Sequence, residues 1–267
     1  MNIDRFSVNQ MTVRQLTLPD LVSHCRRLGV PGVGLWRAPV QEYGVEAAAA
    51  LVRDAGLRVT TLCRGGFFTA DGWEEDNRAA IDEAVTLGTD TLVLVSGGLT
   101  PACPDLPSAR SRIAEAIGEL APYAGERGVR LAIEPLHPMY ASDRCAVSTL
   151  DQALDIAERF PASQVGVTVD TYHLWWDDRA PAAVERAGAA GRIHSFQLAD
   201  WTTPLPAGVL NGRGQLGDGA IDLRAWADLV EKAGYTGPVE VELFNDELWA
   251  RDGVEVLEET LERFLTI

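Results

Sequence analysis

The chain has 267 residues, of which 46% are hydrophobic and 23% charged, as is usual for a globular protein with a large core. Its formal net charge of −16 disfavours binding to the phosphate backbone of nucleic acids. The sequence has no apolar run near the roughly 20 residues of a membrane span, and it begins without the basic and apolar regions of a signal peptide. We therefore expect a cytoplasmic protein that binds neither nucleic acids nor membranes.

Short apolar runs alternate with amphipathic runs along the whole chain. The apolar runs, typical of strands buried on both faces of a parallel sheet, are 6–9, 32–36, 58–63, 91–95, 129–134, 165–170, 193–198 and 239–243. The amphipathic runs, which predict helices, are 18–28, 45–55, 73–87, 108–126, 148–160, 180–187, 222–233 and 254–264. Pro122 predicts a kink or an interruption in the fourth of these helices, and 201–220 predicts a long polar loop.

This alternation predicts the fold class. Eight strands, each followed by a helix, favour an α/β protein with a single (β/α)8 TIM barrel. No change of composition and no linker divides the chain, so residues 1–267 are expected to form one domain. A doubly wound open sheet is the alternative, but no GxGxxG turn follows the first strand.

Polar side chains occupy the C-terminal ends of four consecutive predicted strands. Glu134 ends the fifth strand and Asp170 the sixth, Gln197 and Asp200 lie at the end of the seventh, and Glu242 lies in the eighth. In a barrel these ends converge on one mouth. Carboxylates that converge without Lys or Arg repel one another strongly, and a divalent cation relieves the repulsion. An all-oxygen ligand set suits Mg²⁺ or Mn²⁺, with Co²⁺ as a further option, better than Zn²⁺.

Each of these residues also has a purely structural interpretation. Asp170 alternatively caps the following helix, Glu134 alternatively pairs with a buried cation, and Gln197 alternatively satisfies a backbone group. Glu240 and Glu242 alternate with apolar residues, so both are expected on the same face of the eighth strand. The recurrence of polar groups at four neighbouring strand ends favours the metal site.

Five segments give the chain a resemblance to the xylose isomerase-like barrels, which include sugar-phosphate isomerases and epimerases, inosose isomerases and dehydratases, hydroxypyruvate isomerases and ketose 3-epimerases. The segments are LAIEPLHP at 131–138, VTVDTYH at 167–173, SFQLADW at 195–201, GRGQLGDGAID at 212–222 and VEVELFN at 239–245. The resemblance extends over essentially the whole chain. It implies a metal held by Glu134, Asp170, Gln197 and Glu242. Gln197 replaces the histidine of many epimerases, as in members that are similar to hydroxypyruvate isomerase.

The resemblance also implies a type of chemistry, which is proton transfer next to a carbonyl group. In such enzymes the metal binds the carbonyl and an adjacent hydroxyl and stabilises the enediolate that forms. The resemblance assigns Glu134 and Glu242 as the acid/base pair in addition to their role as ligands. His173 resembles the histidine that orients a substrate oxygen.

Further candidates lie in loops that are expected above the strand ends. His137 is a candidate second base or substrate contact, or alternatively a loop histidine bonded to the backbone. Arg213, in the long loop, and Arg64, after the third strand, are candidates to bind a substrate hydroxyl or phosphate. Trp36 and Trp176 belong to a group of aromatic residues at the predicted mouth, which suits stacking on a sugar.

Three functions are compatible with this sequence. The first is a metal-dependent isomerase or epimerase of a keto sugar or related polyol. The aromatic group and His137 also resemble the C-glycoside deglycosidases, metal-dependent lyases that cleave a 3-keto sugar and work with a small partner subunit. A non-catalytic sugar-binding barrel is less well supported, because all four ligand positions carry competent groups. The DNA-repair endonucleases of the superfamily use many histidines, and this acidic chain has four. A homo-oligomer is a further possibility left open by the resemblance.

Overall fold

The computed structural model describes residues 1–206 and 209–267, and residues 207 and 208 of the predicted loop lie outside the described residues. The described residues close eight parallel strands into a barrel, in which each strand pairs with its neighbours in the chain and the first pairs with the last. The barrel strands are β1 Phe6–Asn9, β2 Gly32–Trp36, β3 Arg58–Gly66, β4 Thr91–Val95, β5 Arg130–Glu134, β6 Val165–Asp170, β7 Ile193–Leu198 and β8 Val239–Val241. The predicted TIM barrel is therefore confirmed.

Helices cover the outside of the barrel. They are α1 Leu18–Leu28, α2 Arg37–Tyr43, α3 Val45–Asp54, α4 Trp73–Leu87, α5 Leu106–Glu126, α6 Leu150–Ala157, α7 Thr171–Leu174, α8 Ala180–Ala189, α9 Leu223–Lys232, α10 Asp246–Trp249 and α11 Gly253–Thr266. Helix α5 continues through Pro122, so the predicted interruption is wrong. Ala121 and Ala124 are buried on either side of the proline, and their packing keeps the last turn on the barrel. No helix among the described residues is long and apolar enough to cross a membrane.

The apolar core lies between the barrel and its helices, whereas the barrel interior is polar. In β8, Val239 and Val241 belong to the core, and Glu240 between them points into the barrel, where Asn9 donates a hydrogen bond to it. Gly34 of β2 leaves space for this glutamate, because a Cβ atom at Gly34 would lie 2.4 Å from its carboxylate. The strand period of two residues thus separates the apolar face from the polar one, as predicted for Glu240 and Glu242.

The register of the barrel brings the polar residues to one level. Asp170 of β6 and Glu240 of β8 are both register partners of Gln197 in the strand between them. Paired residues of parallel strands point to the same face of the sheet, so these three side chains share the barrel interior. Glu242 follows two residues after Glu240 and is therefore one layer closer to the C-terminal mouth.

Candidate active site

Three of the polar residues at the mouth form a compact buried cluster. Glu134, Asp170 and His173 each have a possible metal-ligating atom, and these atoms all lie within 4.8 Å of one another. Oδ1 of Asp170 accepts a hydrogen bond of 2.7 Å from the backbone N–H of Tyr172, at the start of α7. Because the other oxygen faces the mouth, Asp170 both caps the short helix and contributes a carboxylate oxygen to the cluster.

Arg213 connects this cluster to Glu242. Its Nη1 donates hydrogen bonds of 3.1 Å to Oδ2 of Asp170 and 2.9 Å to Oε2 of Glu242. The other carboxylate oxygen of Glu242, Oε1, accepts a hydrogen bond of 3.3 Å from Nε1 of Trp36. Arg213 reaches this position because Arg213 and Gly214 pair antiparallel with Trp201 and Asp200, which folds the long loop back over the barrel.

Burial raises the pKa of the carboxyl groups at the mouth. The pKa of Glu134 lies well above its usual value because of burial and of the charges of Glu242 and Asp170. Burial raises the pKa of Glu242 to about 7, although Arg213 opposes the shift. The pKa of Asp170 is also raised by burial and opposed by Arg213. Three ionised carboxylates and one guanidinium leave two negative charges uncompensated, which a divalent cation would balance.

The ring of His173 is held in one protonation state. The backbone N–H of His137 donates to Nδ1 at 3.2 Å, and burial, together with the charge of Arg213, lowers the pKa of His173 well below its usual value. Nε2 lies 3.2 Å from Nη2 of Arg213, which can only donate. A neutral imidazole accepts at one nitrogen only, so the ring accepts a hydrogen bond either from His137 or from Arg213, and its other nitrogen carries the proton.

Two buried oxygen atoms at the mouth have no hydrogen-bond partner among residues 1–206 and 209–267. They are Oε1 of Glu134 and Oε1 of Gln197. Gln197 uses its other side-chain atom, Nε2, to donate a hydrogen bond of 3.1 Å to Glu240. A buried acceptor without a donor costs about 1–3 kcal/mol, and a cation is the ligand that such oxygens bind. The residues present therefore fit a divalent metal ion held by oxygen ligands.

Aromatic side chains form the rim of this cluster. The ring of His137 lies 5.0 Å from that of Trp201 and 5.6 Å from that of Trp176, centroid to centroid. Nε1 of Trp176 donates to the backbone oxygen of His173, which fixes the indole beside the site. His137 is half-buried, and its Nδ1 accepts a hydrogen bond from the backbone N–H of Met139. Its Nε2 is therefore the nitrogen left to contact a ligand.

Two polar residues at the strand ends, Arg64 and Asp200, make their contacts outside the cluster of Glu134, Asp170 and His173. The guanidinium of Arg64 lies over the ring of Phe67, 3.9 Å from its centroid, and none of its described contacts is to a carboxylate of the mouth. Asp200 accepts hydrogen bonds from four backbone N–H groups of the long loop, those of Trp201, Gly217, Gly219 and Ile221. Asp200 thus holds the loop that carries Arg213 and is not part of the cluster.

The opposite end of the barrel contains a separate cavity of about 580 Å³. Its lining includes Arg58, Asp90 and Arg130, and it reaches Glu240 from below. Arg130 pairs with Asp90 at 2.9 Å at the edge of the barrel. The active sites of TIM barrels lie at the C-terminal ends of the strands. The cluster at the mouth is therefore the candidate active site, and the cavity at the opposite end is not.

A closed parallel barrel with a buried acidic mouth defines the class of protein, a TIM barrel with its polar site at the C-terminal strand ends. Residues 22–260 match the family described as xylose isomerase-like TIM barrel. The chain belongs to this family, as the five sequence segments predicted.

Two relatives with known activities are similar to parts of the chain. An inosose isomerase of Bacillus velezensis is 31% identical over 155 residues, which are 56% of this chain and 53% of that protein. A 3-dehydroshikimate dehydratase of Pseudomonas aeruginosa is 33% identical over 246 residues, 86% of this chain and 36% of that protein. The chain thus spans about half the length of the first relative and about a third of the second.

Solved structures give the same fold over the whole chain. A protein from Sinorhizobium meliloti 1021 is 42% identical, with a TM-score of 0.95 over 99% of this chain and 98% of its own. An IolI protein with a bound zinc atom is 21% identical, with a TM-score of 0.82 over 98% of this chain and 97% of its own. The second likeness shows the fold alone.

Proposed function

We propose that the protein is a divalent-metal-dependent isomerase or epimerase that moves a proton next to the carbonyl group of a keto sugar or a related polyol. The observation that carries this proposal is the mouth of the barrel, where Arg213 pairs with the buried carboxylates of Asp170 and Glu242. At the same mouth, Oε1 of Glu134 and Oε1 of Gln197 are buried without a hydrogen-bond partner among the described residues. The similarity to an inosose isomerase supports the same class of substrate.

Glu134, Asp170, Gln197 and Glu242 would hold the metal ion. Each offers an oxygen atom, which favours Mn²⁺ or Mg²⁺, with Co²⁺ as a further option, while the zinc in the IolI protein is a reason to include Zn²⁺ in any test. A bound ion would supply positive charge that lowers the free energy of removing a proton next to the substrate carbonyl.

Glu134 and Glu242 are the proposed acid/base pair. In the metal-free protein burial raises the pKa of Glu242 to about 7, so its carboxylate is a stronger base than a solvated one, and a bound cation would lower this pKa. Glu134 lies on β5 and Glu242 follows β8, with β6 and β7 between them in the barrel wall. Carboxylates separated in this way can act on opposite faces of a substrate carbon, as an epimerisation requires.

His173 and Arg213 are the proposed substrate-binding donors. In the tautomer whose Nδ1 accepts from the backbone N–H of His137, Nε2 of His173 carries the proton. A substrate oxygen near Nε2 and Nη2 of Arg213, which lie 3.2 Å apart, can then accept from both. Trp36 and Trp176 on the rim offer aromatic surfaces for the apolar face of a sugar. Arg64 is a weaker candidate, because its guanidinium stacks on Phe67 at the edge of the site.

Proton–deuterium exchange tests this function directly. The protein is loaded with Mn²⁺, Mg²⁺, Co²⁺ or Zn²⁺ and incubated in D₂O with a panel of keto sugars and inososes, with and without EDTA. We expect NMR to detect deuterium at the carbon next to the carbonyl of at least one substrate, and EDTA to abolish it. An absence of exchange with every metal and substrate would refute the proposed function.

Elimination is the second candidate function. His137 stands beside the cluster between two indoles, with Nε2 unused by the backbone, where it can donate a proton to a leaving group. One relative is a dehydratase, which eliminates water. The C-glycoside deglycosidases, which the sequence also resembles, eliminate an aromatic group instead and work with a small partner subunit. A substrate that loses water or an aromatic group, or a second polypeptide in the purified protein, would favour this candidate. Exchange with retention of all substituents would favour the isomerase.

A further inference from the structure

We propose that Glu240 is a positioning residue, whose carboxylate fixes the side-chain amide of Gln197 so that its oxygen faces the metal ligands. The inference rests on the proposed function only in that it requires a metal ion at the mouth. A glutamine amide has an oxygen at one position and an NH₂ group at the other, and only the oxygen binds a cation. A glutamine that contributes its side-chain oxygen to a metal site therefore needs a neighbour that selects one orientation.

The contacts of Gln197 agree with this role. Its Nε2 donates a hydrogen bond of 3.1 Å to Oε1 of Glu240. Its Oε1 is buried and has no hydrogen-bond partner in the described part of the chain. A carboxylate accepts hydrogen bonds and cannot donate them, so it excludes the rotated amide, in which an oxygen would face Oε1 of Glu240.

Glu240 is itself held rigidly inside the barrel. Its Oε2 accepts hydrogen bonds from the hydroxyl groups of Thr60 at 3.0 Å and Thr61 at 2.7 Å. Its Oε1 accepts from Nδ2 of Asn9 at 2.8 Å in addition to Gln197. Gly34 leaves the space that the carboxylate occupies, since a Cβ atom there would lie 2.4 Å from it. Four neutral donors thus fix a buried charge that forms no ion pair among the described residues.

Glu240 is also connected to Glu242, a second candidate metal ligand, through hydrogen bonds of Asn9 and Trp36. Nδ2 of Asn9 donates to Glu240, and its Oδ1 accepts from the backbone N–H of Met11 at 2.9 Å and from Nε1 of Trp36 at 3.1 Å. The indole N–H is also 3.3 Å from Oε1 of Glu242. Glu240 therefore fixes the amide of Gln197, whose oxygen would face the metal. Together with the N–H of Met11, it also acts on the amide of Asn9, which positions the indole beside Glu242. Groups that orient metal ligands in this way typically change metal affinity about 10- to 100-fold when they are removed.

Two variants of equal charge separate positioning from electrostatics. Glu240→Gln and Glu240→Met both remove the negative charge and have similar lengths, but only the first keeps an acceptor oxygen. The hydroxyl groups of Thr60 and Thr61 can turn to accept from the new NH₂ group, so Glu240→Gln can still bind Nε2 of Gln197. Titration of Mn²⁺, with the free ion followed by electron paramagnetic resonance, gives the affinity of each variant.

We expect Glu240→Met to weaken Mn²⁺ binding about 10- to 100-fold and Glu240→Gln to stay within about threefold of the wild type. Thr260→Val is the control, because it removes a buried hydroxyl that contacts Gln215 and Val256 and has no described contact with Glu240 or Gln197. It should lower the melting temperature with Mn²⁺ affinity within about threefold of the wild type. Equal weakening by the Gln and Met variants, or by Thr260→Val, would overturn the inference.

A second measurement decides the question if Glu240→Met does not fold. In protein with ¹⁵N-labelled glutamine side chains, Mg²⁺ should shift the NH₂ resonance of Gln197, while its hydrogens remain protected from exchange with solvent. If Mg²⁺ did not shift this resonance, or if the NH₂ hydrogens exchanged freely with solvent, the positioning of Gln197 by Glu240 would be refuted. Mn²⁺ binding in the expected pattern without substrate exchange would refute only the proposed function. Intact exchange with equal affinity of all variants would refute only this inference, and a wild type that binds no Mn²⁺ would refute both.

Discussion

Nη1 of Arg213 donates a hydrogen bond of 2.9 Å to Oε2 of Glu242, which joins a residue of the long loop to the end of β8. The same nitrogen contacts Asp170, and all three side chains are buried. Removing one partner of a buried ion pair is strongly destabilising, because the remaining charges lose their compensation. A metal ion at the mouth would supply the missing positive charge, so the effect depends on whether the metal is present.

We therefore expect Arg213→Gln to lower the melting temperature of the metal-free protein by several degrees. Added Mn²⁺ should raise the melting temperature of this variant more than that of the wild type. Differential scanning fluorimetry with EDTA or Mn²⁺ measures both effects. Arg186→Gln is the control, because Arg186 also pairs with three carboxylates, but at the surface, where ion pairs contribute little. A similar change in the two variants would contradict the prediction.

The architecture could be predicted from the sequence to a large extent, because strands buried on both faces have an unmistakable pattern. Strand β6 has the predicted bounds 165–170, and all eight strands lie where the apolar runs are. Helix α2, Arg37–Tyr43, was not predicted, since its seven residues are too short to show a helical period. Strand β8 ends at Val241 instead of 243, because Glu242 already belongs to the mouth.

The site was less predictable than the fold. The proximity of Glu134 and Asp170 could be predicted from strand order alone, because they end neighbouring strands of the barrel. The contact of Arg213 with Asp170 joins residues 43 apart through an irregular loop, for which periodicity gives no signal. The role of Glu240 depends on the direction of one amide, which no sequence pattern specifies. The metal-ligand set and the catalytic roles remain predictions.

The raised pKa of Glu242 predicts how the stability of the metal-free protein depends on pH. The folded state holds this proton up to about pH 7, whereas the unfolded chain loses it near pH 4.5. Between these values the folded state binds more protons, so the contribution of Glu242 to the free energy of unfolding falls as the pH rises and levels off above about pH 7. The raised pKa of Glu134 adds to the decline in the same direction. Melting temperatures from pH 4.5 to 8 in EDTA should show this decline.

Glu242→Gln provides the control for this pH dependence. It removes the titrating group, so the difference in melting temperature between the wild type and the variant should change in favour of the variant as the pH rises. Saturating Mn²⁺ should flatten the curve of the wild type, because a bound cation favours the ionised carboxylate. A difference that is constant from pH 4.5 to 8 would show that burial does not raise the pKa of Glu242.

Glu134→Gln and Glu242→Gln are expected to decrease the rate of substrate proton exchange about 10²- to 10⁴-fold, the range typical of a lost general acid or base. Both keep an oxygen that can contact a metal ion, so the metal content of each variant should be measured beside its rate. Glu185→Gln, an exposed glutamate of α8, is the matched control and should exchange normally. Variants that keep their metal and the full exchange rate would contradict the assigned acid/base roles.

Gly34→Ala tests the close approach of Glu240 to β2. The new Cβ atom would lie 2.4 Å from the carboxylate, so the glutamate has to move away from its donors. Overpacking of this kind costs about 1–3 kcal/mol, and Mn²⁺ affinity should fall with the displaced contact to Gln197. Gly118→Ala in α5 is the control, because its Cβ atom would lie 3.4 Å from Phe160 and alanine favours helices. Equal unfolding free energies of the two variants in urea would contradict the argument.

Asp200→Asn tests how the loop that carries Arg213 is held. The two oxygens of Asp200 each accept two backbone N–H groups, with distances between 2.8 and 3.1 Å. An amide replaces one of these oxygens by an NH₂ group, which then faces two donors and leaves both without an acceptor. We expect faster proteolysis between residues 201 and 221 and a KM that rises more than kcat falls, because Arg213 is less well positioned to bind substrate.

Asp222→Asn is the matched control for this change. Asp222 accepts a hydrogen bond of 2.9 Å from the backbone N–H of Ala225 at the exposed start of α9. Asparagine caps a helix as well as aspartate does, so this variant should digest and bind substrate as the wild type does. If Asp200→Asn and Asp222→Asn behaved alike, the four backbone contacts of Asp200 would not be what holds Arg213 over the mouth.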